Sequence, residues 1–399
     1  MQYTGTPSTW YSSREGRLKS FTEPKLPVGH PDNPYSFPVV LRYRYADDVE
    51  MFKSSAVADQ YRLLVGIEGT DYGWDWNATA GMMGSKVDND IRGSKHAANY
   101  LDAVTTGKYR FGGQNSPELL DRMFPTITFG GESKQVFADF KASRELMQLG
   151  GGSLGLAIGA DVRRDEFDAW TSDNVANAEI VGYGSIAVTG ARNIVAAFAE
   201  LNAPITKQLE INGAVRVDKL GNTDASVVPK LSARYEVSKG FMLRGTVAHG
   251  FRAPNVAETG KVALSAFNNG VQDPKRCAVA NWIYDVLKDG NTIDKADSTR
   301  ARDLGCRVSF ASSVQGNPEL EPEKSKSFNA GFVFEPMKDL SLTLDYYHIE
   351  RRNEIGTRAT AEVLVNEDQV PGSVLRLPVT DDDKRLAARA AELSGGSFA

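Results

Sequence analysis

Apolar and polar residues alternate with period two over most of the chain. Leu154, Leu156, Ile158, Ala160 and Val162 alternate with Gly155, Ala157, Gly159, Asp161 and Arg163. Leu209, Ile211, Gly213, Val215 and Val217 do so against Glu210, Asn212, Ala214, Arg216 and Asp218. The same pattern runs through 231–237, 241–247, 328–335 and 340–346, and through Tyr72, Trp74, Trp76, Ala78 and Ala80. Such a period places one apolar face on each of a series of β-strands. Strands near Val39–Tyr45 and Tyr61–Glu68 are expected as well, with the register of residues 1–60 open. The count comes to roughly twelve to fourteen strands.

Two architectures share this pattern: a soluble antiparallel sandwich and a transmembrane barrel. Many alternating stretches run to about ten residues, the length of a tilted membrane strand, whereas sandwich strands are nearer five or six. Aromatic residues sit near strand ends, as Trp74, Trp76, Phe334, Tyr346 and Tyr347 do, which suits an interfacial girdle. Short turns are expected at 69–71, 149–152, 206–208, 238–240 and 336–339. Longer connections are expected near 88–133, 167–192, 218–228, 250–324 and 352–399. Short and long alternate, as in outer-membrane barrels with tight turns on one side and long loops on the other. The fold class read from the pattern is therefore all-β, an antiparallel transmembrane barrel.

Composition changes this picture little. Hydrophobic residues are 41% of 399, and no stretch reaches the ~18 apolar residues of a membrane helix. The net charge of −5 comes with interspersed signs, which argues against a nucleic-acid partner. Cys277 and Cys306 are the two cysteines, both in the 250–324 loop. In an exported protein, two thiols in one loop point to a disulfide before a metal site. The four histidines, at 30, 96, 249 and 348, show no metal-ligand spacing, and no cofactor is expected. Gly150–Gly155 fits both a dinucleotide-binding and a nucleophile-elbow pattern, but a strand follows where each needs a helix, so it reads as a hairpin turn. The charge runs Arg163–Glu166 and Asp381–Asp383 read as exposed rim or loop, and Lys384–Leu393 as a short helix. No catalytic constellation remains, and no enzyme is expected.

Two phrases carry a resemblance. His249-Gly250-Phe251-Arg252-Ala253-Pro254-Asn255 and Gly316-Asn317-Pro318-Glu319-Leu320-Glu321-Pro322-Glu323-Lys324-Ser325 stand in this order on either side of the long loop. They resemble the GFRAP and NP-(E/D)-L-x-P-E-x-S phrases of TonB-dependent outer-membrane receptors. The likeness extends from about Asn33 to the end, with FAELNAPI at 198–205, LEINGAVRVD at 209–218 and LSLTLDYYHIERRNEI at 340–355 resembling family hairpins. It implies a plugged barrel of about 22 strands in the outer membrane of a Gram-negative bacterium. It implies uptake of a scarce nutrient, a siderophore, cobalamin, carbohydrate or peptide, driven through the TonB complex.

Against the family pattern, residues 1–399 show no signal peptide, TonB box, plug domain, closing strands or terminal aromatic residue. The whole length is thus expected to be a partial barrel domain, an internal fragment of a longer receptor. It would meet TonB through a missing N-terminal part. Outer-membrane lipid and a small nutrient ligand are the other expected partners. Pro254 and Pro318 are expected to end their strands, and Arg252 to make polar contacts at the rim. Phe267, Trp282 and Tyr284 are candidates either for stacking on ligand or for packing the loop's own small core. A passive porin-like barrel and an extracellular soluble β-sandwich binding module stand as alternatives.

Overall fold

The computed structural model describes residues 8–12, 15, 17–40, 43–45, 53–221, 223–306, 308–376, 378–396 and 398. The chain begins with two small hairpins, β1 (Ser8–Ser12) with β2 (Arg17–Phe21) and β3 (Lys25–Leu26) with β4 (Val39–Val40). The expected strand at Val39–Tyr45 is thus two residues long; residues 41 and 42 lie outside the described ones, and 43–45 are not strand. The main sheet follows. β5 (Ser54–Asp71) and β6 (Trp74–Ile91) form an 18-residue hairpin. Helices α1 (Ala97–Thr105) and α2 (Pro117–Met123) lead to β7 (Ile127–Gln148) and β8 (Ser153–Thr171). A single turn, α3 (Asp173–Ala176), precedes β9 (Ile186–Pro204), β10 (Leu209–Leu220), β11 (Ser226–Ser238) and β12 (Phe241–Arg252).

The long connection after β12 has structure of its own. It holds α4 (Val256–Thr259), β13 (Lys261–Val271), α5 (Cys277–Leu287), α6 (Thr292–Gly305) and β14 (Val308–Val314). β15 (Glu323–Met337) and β16 (Leu340–Arg352) complete the sheet, and α7 (Thr360–Val365) and α8 (Asp381–Ser394) follow.

Twelve strands form one antiparallel sheet, with β5 to β12, then β15 and β16, in consecutive order. The exception is β13, which pairs with β14 and, through Lys261–Leu264, with Ile186–Thr189 of β9. It can do so because β10 stops at Leu220, opposite Ile194, and leaves the upper end of β9 free. β5 and β16 are not paired with each other, so the sheet is open.

Paired residues share a face, and the register separates two chemistries. Val65, Ala80, Ala138, Val162 and Val195 form one rung. Ile67, Ala78, Phe140, Ala160, Ala197, Val217 and Val227 form the next on the same face. Between them, on the other face, run Gly66, Thr79, Asp139, Asp161, Ala196, Asp218 and Ser226. The apolar face is uncovered: Val65 is 63% exposed, Ile67 62% and Val227 58%. In a soluble sandwich this face would be the core. The buried cores lie elsewhere, at the loop end. One joins Trp10, Phe21 and Leu26 to Tyr100, Tyr109, Met123 and Phe124; another joins α5 and α6 to α8. On the polar face, Arg216 of β10 reaches Asp161 of β8 at 2.8 Å, and Arg244 of β12 grips Asp345 of β16 at 2.9 and 2.5 Å. The second contact passes over Gly331, where a Cβ would collide with the Asp345 carboxylate.

Several sequence-based boundaries change. The connection expected at 88–133 spans 92–126, and that at 167–192 spans 172–185. The one at 250–324 spans 253–322 and is largely ordered into a hairpin and three helices. That at 218–228 shrinks to the five residues 221–225 and is not long. Near the loop end both faces become polar, so alternation fades while the backbone ladder continues. That is why strands such as β7 reach 22 residues. Chain neighbours also do not always pair: β12 meets β15, not β13. Gly150–Gly155 is the β7–β8 turn and the start of β8, and Arg163–Glu166 lies within β8, inside the sheet.

The two faces predict opposite responses to charge. Leu231→Arg, on the apolar face of β11, is expected to destabilise the membrane-folded protein by about 2–4 kcal/mol. Ser232→Arg, one residue on, should be near neutral. Denaturant unfolding from vesicles measures both; equal effects would contradict the assignment of faces.

Candidate functional site at the loop end

The two phrases singled out in the sequence meet in space. Arg252, the last residue of β12, pairs with Glu323, the first of β15. Its guanidinium lies 2.9 Å from Glu323 and 3.0 Å from Glu258. Glu258 belongs to α4, whose N-cap is Asn255. The Asn255 side chain accepts from the Glu258 amide at 2.8 Å, and the Glu258 carboxylate accepts from the Asn255 amide at 2.7 Å, a reciprocal capping box. Asn317 donates its amide to the Glu258 carbonyl at 2.7 Å, and its side chain accepts from the Glu319 amide at 2.9 Å. Glu323 accepts from the Ile355 amide at 2.8 Å, which draws the segment after β16 into the same cluster. Gly250 faces the Ser325 hydroxyl, and Phe251 pairs with Lys324. Ala253 and Pro254 carry the chain to the cap, and Pro322 is buried immediately before β15. Pro318 does not end a strand: β14 stops at Val314 and β15 starts at Glu323, with the Asn317–Glu319 turn between them. Leu320 is half-buried behind that turn.

A second arginine anchors this turn to the opposite wall. Arg192 of β9 donates to the Pro254 carbonyl at 2.8 Å and to Asp165 of β8 at 3.3 Å. Gln135 of β7 donates to the same carboxylate at 2.7 Å. α4 packs onto β9 where Val256 fills the space above Gly190, a position at which any Cβ would strike Val256. The turn therefore folds over the polar face and bounds a cleft of about 770 Å³. Gln60, Arg62, Met83, Gln135, Asp165 and Phe167 are among the strand residues lining it.

Beyond the clamp stands a helical roof. Cys277 at the start of α5 is bridged to Cys306 at the end of α6, with Cα atoms 4.3 Å apart and a sequence separation of 29. Closing a loop of that length stabilises the folded state by roughly 3–4 kcal/mol on the chain-entropy argument. Trp282 packs against the core of Ile283, Leu287, Leu386 and Ala390. Tyr284 lies under the Arg302 guanidinium at 4.1 Å. Both aromatics thus contact the roof's own residues; the side chain of Phe267 lies outside the described ones. α8 docks through Arg389 to Asp294 at 3.1 Å, Arg385 to Asp297 at 2.8 Å, and an ion pair of Asp382 with Arg300.

Arg376 bridges Asp273 and Glu367, each at 2.6 Å, and Lys275 meets Glu367 at 2.6 Å. Hydrogen bonds from Arg376 and then Lys275 hold the Glu367 carboxyl at about 2. Burial alone would raise Asp273, but Arg376 and two backbone amides hold it below its ordinary value. Arg389 lowers Asp294 in the same way. Among the described residues, no His, Cys, Asp and Glu cluster has metal-binding geometry.

The N-x-x-E pattern of the capping box was legible at Asn255–Glu258. Arg192, Asp165 and Gln135 carried no such signal, since they come from three other strands.

An open antiparallel sheet with an uncovered apolar face and all its large loops at one end is the architecture of a membrane barrel wall. The sequence matches the family TonB dependent receptor-like, beta-barrel over residues 9–377, and the chain belongs to it. Members are receptors, not enzymes, of the Gram-negative outer membrane. Among solved structures, the chain is similar to the siderophore receptor PirA from Acinetobacter baumannii (16% identity, TM-score 0.43, covering 75% of this chain and 35% of that one). It is similar also to the RagAB peptide transporter (14%, 0.46, 80% and 32%) and to the copper transporter OprC (13%, 0.37, 74% and 38%). The chain spans about a third of the length of these proteins. No curated protein matches the sequence.

Arg252→Ala should loosen α4, as for a partly exposed ion-pair network, and speed its amide exchange about fivefold. Arg252→Lys should fall between, because it keeps the charge without the planar fork. Unchanged exchange in the alanine variant would remove the clamp from the argument.

The depressed carboxyls make the docking of the roof pH-dependent. A carboxylate lowered by folding stabilises the docked state above its unfolded value, 4.5 for Glu367, and the contribution is lost as pH falls through about 2. Spin labels beside Asp273 and beside Glu367, the two segments that Arg376 joins, should report one short distance at pH 7 and 5 and a broadened one as pH falls from about 4.5 toward 2. A distance unchanged at pH 2.5 contradicts this.

Proposed function

We propose that this chain is wall and roof of an outer-membrane receptor that takes up a scarce nutrient with energy from the TonB complex. The observation that carries the reading is the family match, which spans both phrases that meet at the Arg252 clamp. A siderophore, cobalamin, carbohydrate or peptide is the class of cargo, as the family membership implies. Ligand enters from the loop end, where the disulfide-stapled helices and the cleft under α4 lie. The TonB complex is the partner that supplies the energy. The clamp's role is positional. It sets how the 253–322 connection leaves the wall, so that α4 folds over the polar face. No step of chemistry is required of any residue; selection rests on which loop side chains meet the cargo.

The test is uptake by the intact receptor in cells with and without TonB, and with 253–322 replaced by a short linker. Uptake is expected to vanish without TonB and to fall at least tenfold without the connection, the loss of about 1.4 kcal/mol of binding or more. Uptake that persists unchanged without TonB identifies a passive porin-like barrel instead.

A further inference from the structure

The outward, apolar face carries cations at two depths, and they are treated differently. Toward the loop end, each cation on that face of β6–β8 has a carboxylate: Lys86 with Asp88 at 2.9 Å, Lys134 with Glu132 at 3.0 Å, Arg164 with Glu166 at 2.7 Å. Toward the turns stands Arg144, four residues before the end of β7 at Gln148. Its rung partners are Leu156 and, beyond it, Leu201. Its guanidinium lies over the Trp74 ring at 5.3 Å. It makes no ion pair or hydrogen bond among the described residues, and its Nε is buried without an acceptor.

A half-buried guanidinium on an apolar wall is costly unless something satisfies it. The protein does not, so the acceptor must come from the medium against that wall. At this depth a flexible Arg stem can extend toward the headgroup layer, and a Trp ring marks the same boundary. The phosphodiester there offers two oxygens to a planar fork, the geometry that Arg matches best. We propose that Arg144 and Trp74 form a lipid site on the outer wall. It takes the phosphate of one glycerophospholipid from the leaflet at the turn end. The site rests on the membrane placement proposed above. It adds a fixed lipid that holds the β6–β8 wall at a set depth.

The test uses the protein folded in detergent, given phosphatidylglycerol and diacylglycerol with the same acyl chains, and native mass spectrometry. Wild type should retain one phosphatidylglycerol under conditions that strip diacylglycerol. Arg144→Gln should lower its occupancy about tenfold, and Arg144→Lys less, because a point charge replaces the fork. Trp74→Leu should lower it about threefold by removing the ring. Heat-modifiable gel mobility checks that each variant is folded. Equal retention by wild type and folded Arg144→Gln overturns the site and leaves the membrane reading intact. Displacement of the lipid by inorganic phosphate overturns the assignment to lipid. Wild type that neither enters vesicles nor retains lipid overturns the membrane placement and the site with it.

Discussion

Inside a hydrocarbon layer a backbone amide has no water to turn to, and each unsatisfied group costs several kcal/mol. The rest of this structure follows from that constraint. It requires continuous antiparallel ladders, and β5 to β12 with β15 and β16 supply them. Ladders in turn force alternation, so one face of every strand meets lipid and the other meets the interior. The rungs through Val65 and Ile67 are the first face; those through Asp139, Asp161 and Asp218 are the second. The constraint also says what β5 and β16 need. Among the described residues, each presents an unpaired row of backbone groups, which lipid cannot satisfy.

The constraint relaxes beyond the membrane, and the chain uses that freedom at one end only. Helices, irregular turns and buried cores appear at the loop end, where water can solvate what the fold leaves unpaired. Order there comes from other sources. The disulfide between Cys277 and Cys306 limits the unfolded states of the α5–α6 pair. Guanidinium–carboxylate pairs such as Arg376 with Asp273 bring together segments 103 residues apart. At the junction sits Arg252, with one carboxylate from the turn it begins and one from the strand beside it. A lysine there could satisfy only one partner well, which gives the arginine of that phrase a physical reason.

β13 shows how one choice propagates. Because β10 ends early, the upper edge of β9 is open, and the chain after β12 returns across the intervening strands to fill it. α4 is thereby carried over the polar face, Arg192 can reach the Pro254 carbonyl, and the cleft gains a ceiling. A short connection at 221–225 is part of the same arrangement, since a long loop there would occupy the path.

Period-two alternation by itself determined most strands of the main sheet, their lipid-facing residues and four of the five short turns, because a ladder leaves its signature in every second residue. The turn expected at 69–71 falls instead at Tyr72–Gly73, since the β5–β6 ladder continues to Asp71 and Trp74. The two motif phrases and the cysteine pair were equally local, each a short run of fixed composition. The tertiary structure alone decided the rest. Nothing near Arg192 or Asp165 marks Pro254 as a partner, and nothing in β9 announces β13. The helices after Arg352 show no sign that α8 will lie against α5 and α6. Those contacts join residues separated by tens to a hundred positions. They depend on where strands happen to stop and how far a side chain reaches, quantities with no period. Alternation failed for the same reason at the loop ends of β7 and β9. There the ladder continues, but without lipid on one side the two faces no longer differ.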